Sequence, residues 1–411
     1  MNIYLIVILC IILGKYFLDT VVDILNIKTA ATKLPSEFAG YYDEDKYSKS
    51  QRYLKERTSF GIIEDSFFTF VTVCFIVFGG FNIIDKFARS FGQNTIITAL
   101  IFAGTLILIA RILQIPFSFY RTFVIEERYG FNRTTLKTFF LDIIKGFILT
   151  VLIGGVIFSL IVWFFMHIPN FAWVWCWVTV VVFELFLIFI APVVIMPLFN
   201  KFVPLEEGEL KDRISQYARS QEFTLKGIFK MDASRRSSKS NAFFTGFGKN
   251  RRIVLFDTLI ERHTPDELLS VLAHEVGHYK KKHIFKMFLI SVATSGIMFF
   301  ILSFFINNNG LFSAFGMEHI SVYASIFFFG FLYTPINMVF SVFTNILSRK
   351  HEYEADRYAV DTYRKPEAFI TALKKLVVDN LSNLTPHPAK VFLYYSHPPV
   401  LERIKAIRAY V

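Results

Sequence analysis

The sequence predicts an all-α membrane protein of seven transmembrane helices with one longer segment on the water side, and three observations predict it. The chain is 54% hydrophobic and 18% aromatic with a mean hydropathy of +0.47, and fifty phenylalanines among 411 residues exceed what one water-soluble core holds. Seven apolar runs are long enough to cross a bilayer. Between the fifth and sixth lies a stretch of ordinary globular composition that ends in His274-Glu275-Val276-Gly277-His278.

The first run, about Ile3 to Ile24, has no basic residue ahead of it and carries Lys15, Asp19 and Asp23, so it reads as a retained span and not as a cleaved signal. Further runs follow at about Phe67–Ile84, Thr95–Phe117, Phe139–Met166, Phe171–Phe199, Ile284–Ile306 and Val322–Leu347, the fifth with a bend expected at Pro192 and Pro197. The connections alternate in charge. Those after spans one, three and five and the C-terminal tail are rich in Lys and Arg, whereas those after spans four and six have neither; Lys86 and Arg89 after span two weaken the pattern. The positive-inside rule then puts the N-terminus outside and the basic segments in the cytosol. The net charge of +11 is thereby explained by topology, and no basic, aromatic-interleaved module points to nucleic acid. Cys10, Cys74 and Cys176 sit in apolar runs and read as small buried hydrophobes. Intramembrane Arg111, Glu184 and Asn337 are expected to face the bundle interior, as interhelical partners or as substrate contacts.

The chain therefore divides into residues 1–199 with spans one to five, 200–283 as a protease segment, 284–347 with spans six and seven, and 348–411 as a helical tail. Within the protease segment, Leu205–Glu222 reads as a helix with Leu210, Ile214 and Tyr217 on one face. Ala242–Phe247 and Ile253–Phe256 read as a small β-hairpin turning at Gly248-Lys249-Asn250-Arg251. Thr264, Pro265 and Glu267 form an N-cap, a first-turn proline and a capping box for a helix that carries the two histidines and is expected to run on into span six. A helical continuation Ser348–Tyr363 beyond span seven, a helix from Pro366, a loop with Pro386 and Pro388, and a last helix opened by Ser396-His397-Pro398-Pro399 complete the chain.

His274 and His278 are four apart, on one helical face, so both imidazoles can reach one metal ion. H-E-x-x-H arises by chance in roughly one such chain in a hundred. Spans six and seven make a hairpin, so the third ligand is sought just past span seven, where Glu352 and Glu354 compete and project in opposite directions. Glu352 is chosen because Asp356 follows it on the same face, placed to take the N–H of a ligating histidine; His351 points away. The set implies one Zn²⁺ per chain with an open position for water, and Glu275 as the general base of peptide hydrolysis. The oxyanion needs donors, which His397 or Arg403 would supply if the tail folds back; a His before Pro-Pro serves equally as a helix opening. The hairpin edge offers a strand to an extended peptide, beside Asn241, which is either a substrate contact or a turn residue.

These residues carry a family likeness. Tyr42-Asp43-Glu44-Asp45-Lys46, Glu126-Glu127-Arg128-Tyr129-Gly130-Phe131-Asn132, Pro197-Leu198-Phe199-Asn200-Lys201-Phe202, Ser240-Asn241-Ala242, Arg252-Ile253-Val254-Leu255-Phe256-Asp257-Thr258-Leu259, His274 to His278, Glu352 to Asp356 and Ser396-His397-Pro398-Pro399 resemble stretches of the type I, zinc-dependent CAAX prenyl endopeptidases, the family of the yeast a-factor convertase and the human lamin-processing protease. The resemblance implies seven membrane helices forming a barrel around a water-filled chamber, with zinc at the cytosolic end. It also implies His274, His278 and Glu352 as ligands, Glu275 as base, and His397, Arg403 and Asn241 as transition-state or substrate contacts. The implied partners are the lipid bilayer and a peptide or protein substrate, prenylated or not. A short loop after span six and an end at Tyr410-Val411 without a basic tail are similar to bacterial relatives, which favours a bacterial cytoplasmic membrane over the endoplasmic reticulum. The competing readings are a broad quality-control protease of the four-span type, which seven spans oppose, and a channel or transporter with a structural metal, which an open three-ligand site opposes.

Overall fold

The computed structural model describes residues 2–31, 33–245 and 252–411. In chain order its membrane half comprises α1 (Ile3–Thr29), α2 (Glu44–Val77), the short α3 (Gly80–Arg89), α4 (Thr95–Glu126), α5 (Leu136–His167) and α6 (Pro169–Phe199). The middle segment holds β1 (Phe202–Pro204), α7 (Glu209–Ser220), β2 (Gly227–Met231), β3 (Ala242–Thr245), β4 (Arg252–Phe256), α8 (Asp257–Arg262) and α9 (Pro265–Lys280). Then come α10 (His283–Ser303), α11 (Asn309–Ala314), α12 (Val322–Tyr363), α13 (Pro366–Asp379), α14 (Pro388–Tyr394) and α15 (Val400–Ala409). Seven of these, α1, α2, α4, α5, α6, α10 and α12, are long and apolar enough to cross a membrane.

Only 6% to 22% of the residues in each span's apolar window are buried. Helices of a solid bundle would bury one whole face, so these spans form the thin wall of a hollow barrel. Its far end is closed by an aromatic cluster, where Phe81 meets Phe315 and Phe328 edge-on at 5.2 and 5.3 Å and those two rings stack at 3.8 Å. Several interior polar groups are paired. Lys15 bridges Asp19 at 2.5 Å, Asp19 accepts from Tyr394, Asp23 pairs with Lys390, and Glu64 accepts from both Gln114 and Arg121. Glu184 on α6 accepts from Ser291 on α10 at 3.1 Å, so it is an interhelical partner. Asn337 lines a cavity of about 530 Å³ with Lys15 and Tyr333, and Arg111 lines another of about 350 Å³.

The basic segments gather at the other end. Ala31, after α1, donates to Thr385 of the tail at 3.0 Å, Lys239 bridges Glu126 at 2.8 Å, and Arg236 grips Asp142 through two bonds of 2.7 and 3.0 Å. All the Lys- and Arg-rich connections thus share one side with α9, as the charge alternation requires.

Four expectations are corrected. The second apolar run, Phe67–Ile84, is broken by a left-handed turn at Gly79 (φ 69°), and its helix instead begins at Glu44, where the Asp43 side chain caps Lys46 N–H at 2.6 Å. The hairpin is part of a four-stranded mixed sheet of order β1-β2-β4-β3, with β2 and β4 parallel and the other pairs antiparallel; the turn expected at 248–251 lies outside the described residues. The histidine helix does not continue into span six, because Lys282 adopts a left-handed conformation (φ 57°) and starts a new helix at His283. Pro388 opens α14 and does not sit in a loop. The bend expected in the fifth span is a π-helical stretch, Ala191–Ile195, where Pro192 removes a backbone donor.

Candidate metal centre

The site is built on α9, whose start matches the sequence cues: Thr264 accepts from Glu267 N–H at 3.3 Å and Glu267 returns a bond to Thr264 N–H at 3.0 Å. Such a capped helix enters the core at a fixed angle. Ten of its sixteen residues are buried, and Gly277 lies so close to α12 that a Cβ there would come within 3.1 Å of Ala355 Cα and its carbonyl oxygen. The absent side chain lets the two helices approach, and this approach sets the histidines opposite Glu352.

His274 Nε2 and His278 Nε2 face each other at 3.1 Å, and the Glu352 oxygens lie 3.2 Å from His278 Nε2 and 3.5 Å from His274 Nε2. A tetrahedral zinc ion with bonds of about 2.0–2.1 Å separates its donors by about 3.3 Å, so these spacings fit one. Glu352 Oε2 is also buried without a hydrogen-bond partner. Arg403 Nη1 lies 3.5 Å away, beyond a direct bond, so a metal ion on this oxygen would supply the close contact that a buried carboxylate needs. Glu354, the rejected alternative, points elsewhere, to His283 Nε2 at 3.0 Å.

His274 Nδ1 meets Asp356 Oδ1 at 2.8 Å, which keeps its proton on that nitrogen and its Nε2 lone pair toward the site. Asp356 is fully buried, and Arg403 neutralises it with bonds from Nε (2.8 Å) and Nη2 (2.6 Å). Burial works against the Arg403 charge, but Asp356 and then Glu352 outweigh it and raise its pKa further. Without a metal, burial would likewise lower the His274 pKa, yet its bonds to Asp356 and Glu352 push it up to about 9. The half-buried Glu275 stands beside the pair, its carboxyl pushed above the usual range by burial, against the pull of His274 and His278.

The tail does fold back. His397 Nε2 lies 3.4 Å from Glu352 Oε1 with 65% of its side chain exposed, so its ring is the donor that faces outward. Arg403 is 11% exposed and committed to carboxylates, a placement that suits holding Asp356 and Glu352 more than meeting a substrate. Asn241 is exposed at the start of β3, the edge strand, with its side-chain oxygen accepting from Ala242 N–H at 2.8 Å. His283, which the sequence reading passed over, lies against His278 at 3.0 Å; the signal for it was a histidine five residues beyond the motif.

Comparison with known proteins follows the same lines. Residues 23–201 match the family model described as CAAX prenyl protease N-terminal, five membrane helices, and residues 204–411 match that of peptidase family M48. The chain is 38% identical to a probable CAAX prenyl protease 1 of Schizosaccharomyces pombe, over 91% of this chain and 82% of that one. It is 32% identical to the CAAX prenyl protease 1 homolog of Homo sapiens, over 93% and 90%. The crystal structure of S. mikatae Ste24p superposes with a TM-score of 0.92 at 32% identity, covering 99% of each chain.

Proposed function

The chain belongs to the CAAX prenyl protease 1 family of M48 membrane metallopeptidases, and on that premise we propose that His274, His278 and Glu352 hold one zinc ion and that Glu275 is the catalytic base. The observation that carries the metal assignment is the set of three donors 3.1 to 3.5 Å apart around a buried carboxylate oxygen that makes no hydrogen bond, with Arg403 Nη1 and His274 Nε2 each 3.5 Å away. Zinc, when bound, supplies Lewis acidity, lowering the pKa of a water toward about 7 and polarising the scissile carbonyl.

The chain's own groups do the rest. Glu275 takes the proton of the attacking water and delivers it to the leaving amine; its raised pKa brings it closer to the value such a two-way transfer favours. Asp356 fixes the His274 tautomer, and Arg403 keeps Asp356 charged. His397 donates to the oxygen that gains charge at the carbonyl. The open edge of β3 accepts the substrate as an added strand, with Asn241 holding one of its backbone groups.

The substrate we propose is a C-terminal CAAX segment, prenylated in the form the family name implies. A cavity of about 370 Å³ beside His278 has one apolar wall, Ile188, Ile284, Met287 and Phe288, facing Glu184, His283, Ser348 and His351, and that wall suits an apolar group next to the scissile bond. The site lies at the cytosolic face, on the charge argument above. Of the two membranes considered, the short 304–321 connection favours the bacterial cytoplasmic one; fractionation of source cells tests that. Farnesylated and unprenylated CAAX peptides offered side by side to the zinc-loaded protein test the substrate. Faster release of the tripeptide from the farnesylated peptide is expected; equal cleavage of both and of unrelated peptides would favour the broad quality-control reading.

A further inference from the structure

The motif histidines are supported unequally at first sight. His274 has its own carboxylate, Asp356, but among the described residues no carboxylate touches the Nδ1 of His278. That nitrogen instead faces another imidazole nitrogen, His283 Nδ1, at 3.0 Å, and the second nitrogen of that ring, Nε2, lies 3.0 Å from Glu354 Oε2. His283 is 2% exposed and lies flat against His351, ring centroids 4.0 Å apart and 12° from parallel. It stands there because Lys282 takes its left-handed conformation, which ends α9 and brings the first residue of α10 back beside the motif.

Two nitrogens 3.0 Å apart share one proton, and the site decides whose it is. If His278 offers its Nε2 lone pair to a metal, its proton is on Nδ1 and it donates to His283 Nδ1. His283 then carries its own proton on Nε2 and donates it to Glu354. Every atom of the row has one partner of the opposite kind. The reverse direction would put the His278 proton on Nε2, where it blocks the metal.

We propose that His283 and Glu354 are positioning residues that lock the metal-binding tautomer and ring angle of His278 through a carboxylate–imidazole relay, as Asp356 does directly for His274. The inference rests on the zinc reading above. It also gives α12 a single logic: Glu352 binds the metal, and Glu354 and Asp356, two and four residues on, each support one of the two histidines. Glu354 lies outside the cavity proposed for the apolar group and His283 only edges it; both act on the reacting atoms through His278, so the relay sets metal affinity and the geometry of the site.

The test is the zinc affinity of the full-length protein in detergent, measured by competition with a chromophoric chelator, with peptide turnover at saturating zinc as a second readout. Replacing such a supporting partner weakens metal binding about 10- to 100-fold. His283→Ala is expected to fall in that range, and His283→Asn, which keeps an acceptor where Nδ1 stood, to recover most of the loss. Glu354→Leu is expected to show a smaller loss, and His351→Phe, which keeps the stacked ring, none. In turnover Glu354→Leu, which leaves the cavity lining intact, should lose kcat with KM unchanged. Wild-type affinity in His283→Ala, or a loss in His283→Asn as large as in the alanine variant, would overturn the relay. If His283→Ala does not fold, wild-type affinity in Glu354→Leu overturns it and weakened affinity supports it. Glu352→Gln separates the two readings: if that variant binds zinc as wild type does, the metal assignment fails, whatever His283 does.

Discussion

Helix α9 and the membrane helix α6 are the two extremes of this molecule. Ten of sixteen residues of α9 are buried, whereas in the Ala172–Ile190 part of α6 only Ala172 and Cys176 of nineteen are. The difference follows from their tasks. α9 must hold two nitrogens a few tenths of an ångström from their ideal places, and dense packing against α12 and α13 fixes them. α6 has only to present an apolar surface to lipid and to hold its neighbour α10, as Glu184 does in accepting from Ser291, for which a thin wall suffices. Long-range links join Asp19 to Tyr394 and Asp23 to Lys390, so the tail that folds back beside Glu352 also ties down α1.

The contrast predicts where substitutions hurt. Glu352→Gln removes a ligand and leaves the site with two, so bound zinc and peptide cleavage should both disappear; metal analysis after gel filtration checks it. Asp356→Asn keeps all three ligands but loses the charged partner of His274, and should weaken zinc binding about 10- to 100-fold. Gly277→Ala presses a methyl against the Ala355 backbone, which cannot yield as a side chain does, and should cost about 1–3 kcal/mol in thermal or denaturant unfolding with a matching fall in turnover. In the wall, Val182→Ala at a position 59% exposed should cost less than about 0.5 kcal/mol and leave cleavage unchanged. A wall substitution as damaging as Gly277→Ala would break the comparison.

Between the extremes stands Asp266, in the first turn of α9. Lys365, then Tyr363 and Arg213, hold its carboxyl well below the usual carboxylate range. A depressed folded-state pKa adds stability that is fully present above the unfolded value of about 4 and lost as the pH falls toward the folded one. Asp266 is about a third exposed, so the gain is small. Asp266→Asn should lower stability by less than about 1 kcal/mol at neutral pH, and the gap to wild type should shrink below about pH 4. A gap that stays constant down to pH 2 would show that the ion pairs contribute nothing.

What the sequence made legible was whatever depends on local pattern. Most of the spans followed from uninterrupted apolar runs, the start of α9 from Thr264, Pro265 and Glu267, and the preference for Glu352 over Glu354 from Asp356, four residues on and on the same helical face. Features set by contacts distant in sequence were not legible. The five residues Gly227–Met231 have no strand signature of their own, and their parallel pairing with Arg252–Phe256 is decided only when the sheet forms. Three consecutive lysines, Lys280 to Lys282, do not announce that the last is left-handed, and without that turn His283 looks like part of a membrane helix. Arg403 was expected near the substrate; which carboxylates it would neutralise depended on how the tail folds back.

The central claim is that one zinc ion sits in the dense core and that Glu275 moves the proton. Zinc content and CAAX peptide cleavage measured together on wild type and Glu275→Gln test it most directly. The expected result is one zinc per chain in both, with turnover in the variant lower by about 100- to 10,000-fold. Turnover equal to wild type in a zinc-loaded Glu275→Gln protein would contradict it.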